Sequence, residues 1–132
     1  MKTILLSVLL LGSTILNAQS RIGFPYSEIK EEFSDKRTSV SFNSGAFNFR
    51  IHYEDATVVH IFNDDYISIA CMFIPFNDIE LINYIRNLNS KTVAKAGNKW
   101  YTRVPDSDGI LEVSMEKNED NGTTYFVITR FK

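Results

Sequence analysis

One cysteine and two histidines in 132 residues remove several classes of protein at once. A lone Cys71 cannot close an internal disulfide, so the fold must be held by packing. Two imidazoles and no usable thiol fall short of the three or four protein ligands of a zinc site, so neither metal nor cofactor is expected. Charge of one sign is also lacking. Fourteen Lys and Arg stand against sixteen Asp and Glu, a net charge of −2. Nucleic-acid binding needs a basic footprint to neutralise phosphates, and an anionic membrane surface needs one too, so the charge balance argues against both partners. A Gly-x-Ser-x-Gly elbow, a phosphate-cradling glycine loop and a His-Glu-x-x-His helix are all missing. No catalytic residue is assigned.

What is present starts with Met1 to Ser20. Lys2 gives a positive start, Ile4 to Leu11 an apolar core, Gly12 and Ser13 a break, and Ala18 a small residue before the cut. That layout is a secretory signal, too short to span a bilayer as a mature helix. Cleavage after Ala18, or after Ser20, leaves one domain over about 19–132, with thirteen basic and sixteen acidic residues. No cysteine adjoins either cut, so the expected product is released into periplasm or medium without a lipid anchor. No second apolar run reaches the roughly 18 residues of a membrane span.

The mature segment reads as helix, strands, helix, strands. Pro25, Glu28, Glu31 and Glu32 suit an early helix whose stripe is Ile29 and Phe33. Period-two alternation then runs through Val40 and Phe42; Phe47, Phe49, Ile51 and Tyr53; Val59 and Ile61; and Ile67, Ile69, Cys71 and Phe73. A two-residue turn at Ser44-Gly45 pairs Phe42 with Phe47 and Val40 with Phe49. Three-residue loops at 54–56 and 63–65 pair Ile51 with Val59, Phe49 with Ile61, Ile61 with Ile67 and Val59 with Ile69. All four strands then share one apolar face.

After Pro75, Asn77 and Glu80 have capping-box spacing, and Ile79, Ile82, Ile85 and Leu88 form the predicted buried stripe, flanked by Leu81. Strands follow at about 92–96, 99–104, 110–117 and 123–131. The last is apolar on both faces, as a central strand would be. The fold class is therefore α+β: an antiparallel meander with two helices packed on one face. Helix-then-meander occurs twice, without residue-level identity between the halves.

Five residues are candidate binding groups: Arg50, His52, His60, Trp100 and Tyr101. The predicted register puts both histidines on the face opposite the aromatic core, with Arg50 across from His60. Diagonal neighbours about 7–8 Å apart can meet there. The plainer reading is two polar residues on a solvated or helix-covered face, and Arg50 would repel a cation. Trp100 and Tyr101 are adjacent, so they face opposite sides of a strand, and exposed Trp and Tyr serve as binding anchors. Cys71 reads as buried filler among Ile67, Ile69 and Phe73. Asp106-Ser107-Asp108-Gly109 is better explained as a turn than a calcium loop, because Val104 and Met115 fall where ligands are needed.

Ile22-Gly23-Phe24-Pro25-Tyr26-Ser27-Glu28-Ile29 resembles the Gly-x-[Ser/Thr/Pro]-x-x-Glu-[Val/Ile] helix opening of small bacterial envelope proteins. These include outer-membrane assembly lipoproteins, tandem-repeat β-lactamase inhibitor proteins and uncharacterised secreted proteins of Gram-negative bacteria. This chain departs from the lipoproteins in lacking a lipid-attachment Cys and in carrying Ser34-Asp35-Lys36 where they have Gly-x-Pro. The resemblance implies binding without catalysis. The expectation is a non-enzymatic module whose partner is a protein or small ligand of the cell envelope; the alternative is a small secreted hydrolase using His52, His60 and acidic loop residues.

Overall fold

The computed structural model describes residues 21–43, 45–104 and 109–131, so the signal segment and the Asp106-Ser107-Asp108 turn lie outside it. Among the described residues two helices, α1 (Tyr26–Glu32) and α2 (Asp78–Lys91), accompany eight strands. The first four are β1 (Arg37–Asn43), β2 (Ala46–His52), β3 (Ala56–Phe62) and β4 (Ser68–Pro75). The second four are β5 (Thr92–Ala96), β6 (Lys99–Arg103), β7 (Ile110–Lys117) and β8 (Thr124–Phe131). They form one antiparallel sheet in the order β1-β2-β3-β4-β8-β7-β6-β5. The α+β class and the helix–strands–helix–strands order are those read from the sequence. β8, apolar on both faces, sits in the middle of the sheet against β4 and β7.

Each half is a helix followed by a four-stranded meander, and the halves meet where β4 pairs with β8. Met72 faces Val127, fifty-five positions further on. The same shift carries Ile29 onto Tyr84, Phe33 onto Leu88, Val58 onto Val113, Cys71 onto Phe126 and Phe73 onto Ile128, and every one of these is buried. A residue paired with its own equivalent is what a local two-fold axis through the sheet demands. The repeat is therefore structural: at these positions burial recurs without residue identity.

Both helices pack on the same face. Tyr26 of α1 meets Phe47, Phe49 and Phe62 edge-on, with ring centroids 4.9, 5.4 and 5.6 Å away. Tyr84 of α2 stacks on Phe73 at 4.1 Å and meets Phe126 at 4.5 Å. By register, Phe49, Phe73 and Phe126 all point to that side. Asn77 caps α2 as predicted, its side chain accepting from the Glu80 amide at 2.9 Å.

Four packing expectations are corrected. The β1–β2 register is as read, with Phe42 opposite Phe47 and Val40 opposite Phe49. The next hairpin slips by one. Its turn is the two residues Glu54-Asp55, closed by the Tyr53 amide donating to the Ala56 carbonyl at 2.9 Å. Ile51 consequently faces Val58, and Phe49 faces His60. A one-residue slip exchanges faces, so Val58, His60 and Phe62 point to the core and Val59 and Ile61 away from it. A bulge then separates the Phe62–Ser68 and Ile61–Ala70 pairs, and Ile69 turns outward.

On α2, the buried positions are Tyr84 and Leu88, with Leu81 and Ile85 packed beside them, while Ile79 and Ile82 are exposed. Steps of three lag the helical turn by about 60° each, so a stripe begun at Ile79 lies on the opposite side by Leu88. Spacing of 81, 84, 85 and 88 is the arrangement that stays on one face. Finally, Val40 and Phe42 point to the helix side but remain 54% and 68% exposed, because the short α1 does not reach β1.

Candidate functional site

The slip in the second hairpin decides the fate of the two histidines. His52, opposite Arg37 and Thr57, stays on the face that no described helix or loop covers, 3.4 Å from Ser39 Oγ through its Nε2. His60, opposite Phe49 and Cys71, is fully buried on the other face. The expected convergence of His52, His60 and Arg50 therefore does not occur: Arg50 faces Val59, and the sheet itself separates the imidazoles.

Inside the core, His60 Nδ1 lies 3.2 Å from Ser68 Oγ, and Nε2 is buried without a partner among the described residues. Burial, aided by the positive charge of Arg21, pushes its pKa down to about 4. The neutral ring is thus the native form at neutral pH. Fifty-five positions on, the same place in the second half holds Met115, an apolar residue packed against the core. Ser68 is itself 1% exposed, so the pair offers nothing to solvent. Cys71 is completely buried and its thiol pKa is pushed up by desolvation, as expected of filler.

Trp100 is corrected from a possible surface anchor to a core residue. It is 3% exposed, facing Val113, with Phe126 edge-on at 6.1 Å. Its indole Nε1 donates to Asn89 Oδ1 at 2.8 Å, which ties the end of α2 to β6. Lys95 Nζ stands 5.1 Å from the ring centroid on the outer side. Tyr101, its neighbour, faces the uncovered side and donates its hydroxyl to Glu112 Oε1 at 3.0 Å; that bond raises the phenol pKa. Lys99 reaches the same Glu112 oxygen at 3.5 Å.

Arg50, His52 and Tyr101 thus remain on one surface, though not together. Five strand steps separate β2 from β6, about 24 Å at the usual spacing. Between them β3, β4 and β8 present Val59, Ile61, Met72, Ile74 and Val127, which sequence reasoning had either placed in the core or left without a face. Val59 is only 2% exposed yet outside the main core cluster. Asn48 and Thr57 on the same side are also buried. None of the three has a described helix or loop above it.

A groove of about 430 Å³, lined by Ile22, Gly23, Ile67, Ser68, Ile69, Thr129 and Arg130, takes in none of the five candidates. Among the described residues no group of three or more His, Cys, Asp and Glu side chains is placed to hold a metal ion. No described helix is long and apolar enough to cross a membrane. No known protein family, curated protein or solved structure matches the chain.

Proposed function

We propose that this protein is a non-enzymatic interaction domain of the bacterial cell envelope, exported by its N-terminal segment, whose uncovered sheet face receives a protein partner. One observation carries the reading. A continuous eight-stranded face lies free of any described element, with an apolar middle and polar flanks. Arg37, Arg50 and His52 flank it on one side, and Lys99, Tyr101 and Glu112 on the other. An apolar centre inside a polar rim is the anatomy of protein–protein interfaces. The spread of the candidates over both faces argues against a shared acid–base centre, which needs its groups within hydrogen-bond reach. The helix opening at Ile22 to Ile29 and the tandem helix–meander order add a likeness of layout to envelope proteins that bind without catalysis.

The test uses the purified protein as bait on an envelope extract, followed by titration with the captured partner in pure form. Met72→Asp at the centre should weaken binding about tenfold or more, and Lys30→Glu on the helix side should leave it unchanged. Equal effects from both variants would remove the assigned face. Turnover in a hydrolase panel that disappears in His60→Gln would replace the binding reading with the enzymatic one.

A further inference from the structure

β1 is the outer strand of the sheet, and the hairpin geometry says which of its backbone groups are unused. The Tyr53–Ala56 hydrogen bond makes that pair a bonded one. In an antiparallel ladder bonded and non-bonded pairs alternate, so residues 47, 49 and 51 of β2 bond to β3, and 46, 48, 50 and 52 turn towards β1. Their partners are Asn43, Ser41, Ser39 and Arg37. The amides and carbonyls of Thr38, Val40 and Phe42 therefore point away from the sheet. Two of these three carry the most conspicuous exposed apolar side chains on the strand, Val40 and Phe42.

From this edge we infer that the protein forms a two-fold dimer in which β1 pairs antiparallel with β1 of a second copy, centred on Val40. In that register Val40 faces its own copy and Thr38 faces Phe42, so every outward amide and carbonyl of the three residues finds a partner, six hydrogen bonds in all. Arg37, the only charged residue of β1, falls opposite Asn43 and meets no like charge. The strand has no proline, no bulge and no lysine, the usual devices that keep an edge from pairing. The opposite edge differs. β5 carries Lys95 and a break in register between Thr92 and Ala94. Pairing through β1 places Val40 and Phe42 beside their copies on the helix side and joins the two sheets into one. The uncovered faces then become continuous, whatever either one binds.

The experiment is sedimentation of the purified protein with Val40→Pro beside it. Proline removes one outward amide and none of the bonds to β2. At about 100 µM the unaltered protein should sediment as a dimer and Val40→Pro as a monomer, with native circular dichroism in both. A monomeric unaltered protein, or a dimeric Val40→Pro, overturns the inference. Should Val40→Pro fail to fold, cysteine variants decide the matter. Facing residues in a bonded pair lie about 5.5 Å apart between Cα atoms, within disulfide range, so under diamide Val40→Cys should cross-link about ten times faster than Phe42→Cys, which faces Thr38. Equal rates refute the register and the dimer with it.

Discussion

The first half of the chain covers its strands with a seven-residue helix, the second with a fourteen-residue one. α1 reaches β2 and β3 through Tyr26 and leaves β1 bare. α2 lies over β4 and β8 through Tyr84 and extends to β6 through the Asn89–Trp100 bond. The same plan repeated at an interval of fifty-five residues thus gives one half an open edge and a buried histidine, and the other a protected edge and Met115. The difference shows how a tandem architecture gains asymmetry: by helix length and by single substitutions at equivalent positions.

The largest expected effect tests whether the halves stand as one cooperative unit. Phe126 is fully buried where Tyr84, Phe73 and Trp100 meet. Phe126→Ala should lower the unfolding free energy by about 3–5 kcal/mol in urea, in a single transition. Two separated transitions would show halves that fold independently.

Acid should act almost as strongly, through a buried histidine that only the first half carries. Above pH 6.5 His60 is neutral both folded and unfolded. Below that pH the unfolded state takes up a proton that the native state refuses until about pH 4. Stability is therefore present above 6.5 and falls by about 3 kcal/mol as pH drops from 6.5 to 4. His60→Met, which copies the equivalent position, should fold and remove most of this slope. A denaturation series at stepped pH that is equally steep in the variant would assign the loss to other groups.

The helix starts give a smaller contrast. Asn77→Ala should cost about 1 kcal/mol through the lost bond to the Glu80 amide. Pro25 makes no side-chain cap, so Pro25→Ala should cost less in the same thermal assay. Least of all, Phe42→Ser should change monomer stability by about 0.5 kcal/mol or less, since most of the ring is exposed. A cost near that of Phe126→Ala would mean that β1 is covered in solution after all.

Among the candidate residues, Tyr101 lies on the uncovered face, and His60, expected opposite the aromatic core, lies within it. Trp100 and Tyr101 are adjacent, so one had to face in, and indole burial against Phe126 decided which. For His60, the alternation that located β3 is ambiguous: Val58, Val59, Ile61 and Phe62 supply apolar residues to both faces. Period can be counted in such a run, but phase cannot. The one legible hint was parity, because Phe62 and Val58 share the face of His60, and burying that pair means burying the imidazole too. The uncovered surface left no local signal, because Met72, Ile74 and Val127 come together only once β4 and β8 pair.

Sequence by itself determined the elements: the approximate bounds of the last four strands, the Asn77 cap, the burial of Cys71 and the repeated helix–meander order. These follow from local periodicity, capping and turn chemistry, which act over a few residues. Tertiary structure decided phase and partnership. A two-residue turn at Glu54-Asp55 sent His60 inward, helix length left Val40 and Phe42 in the open, and the β4–β8 seam created the broad face. Each of those outcomes depends on contacts between distant segments, where a single-residue shift exchanges the two sides of a strand.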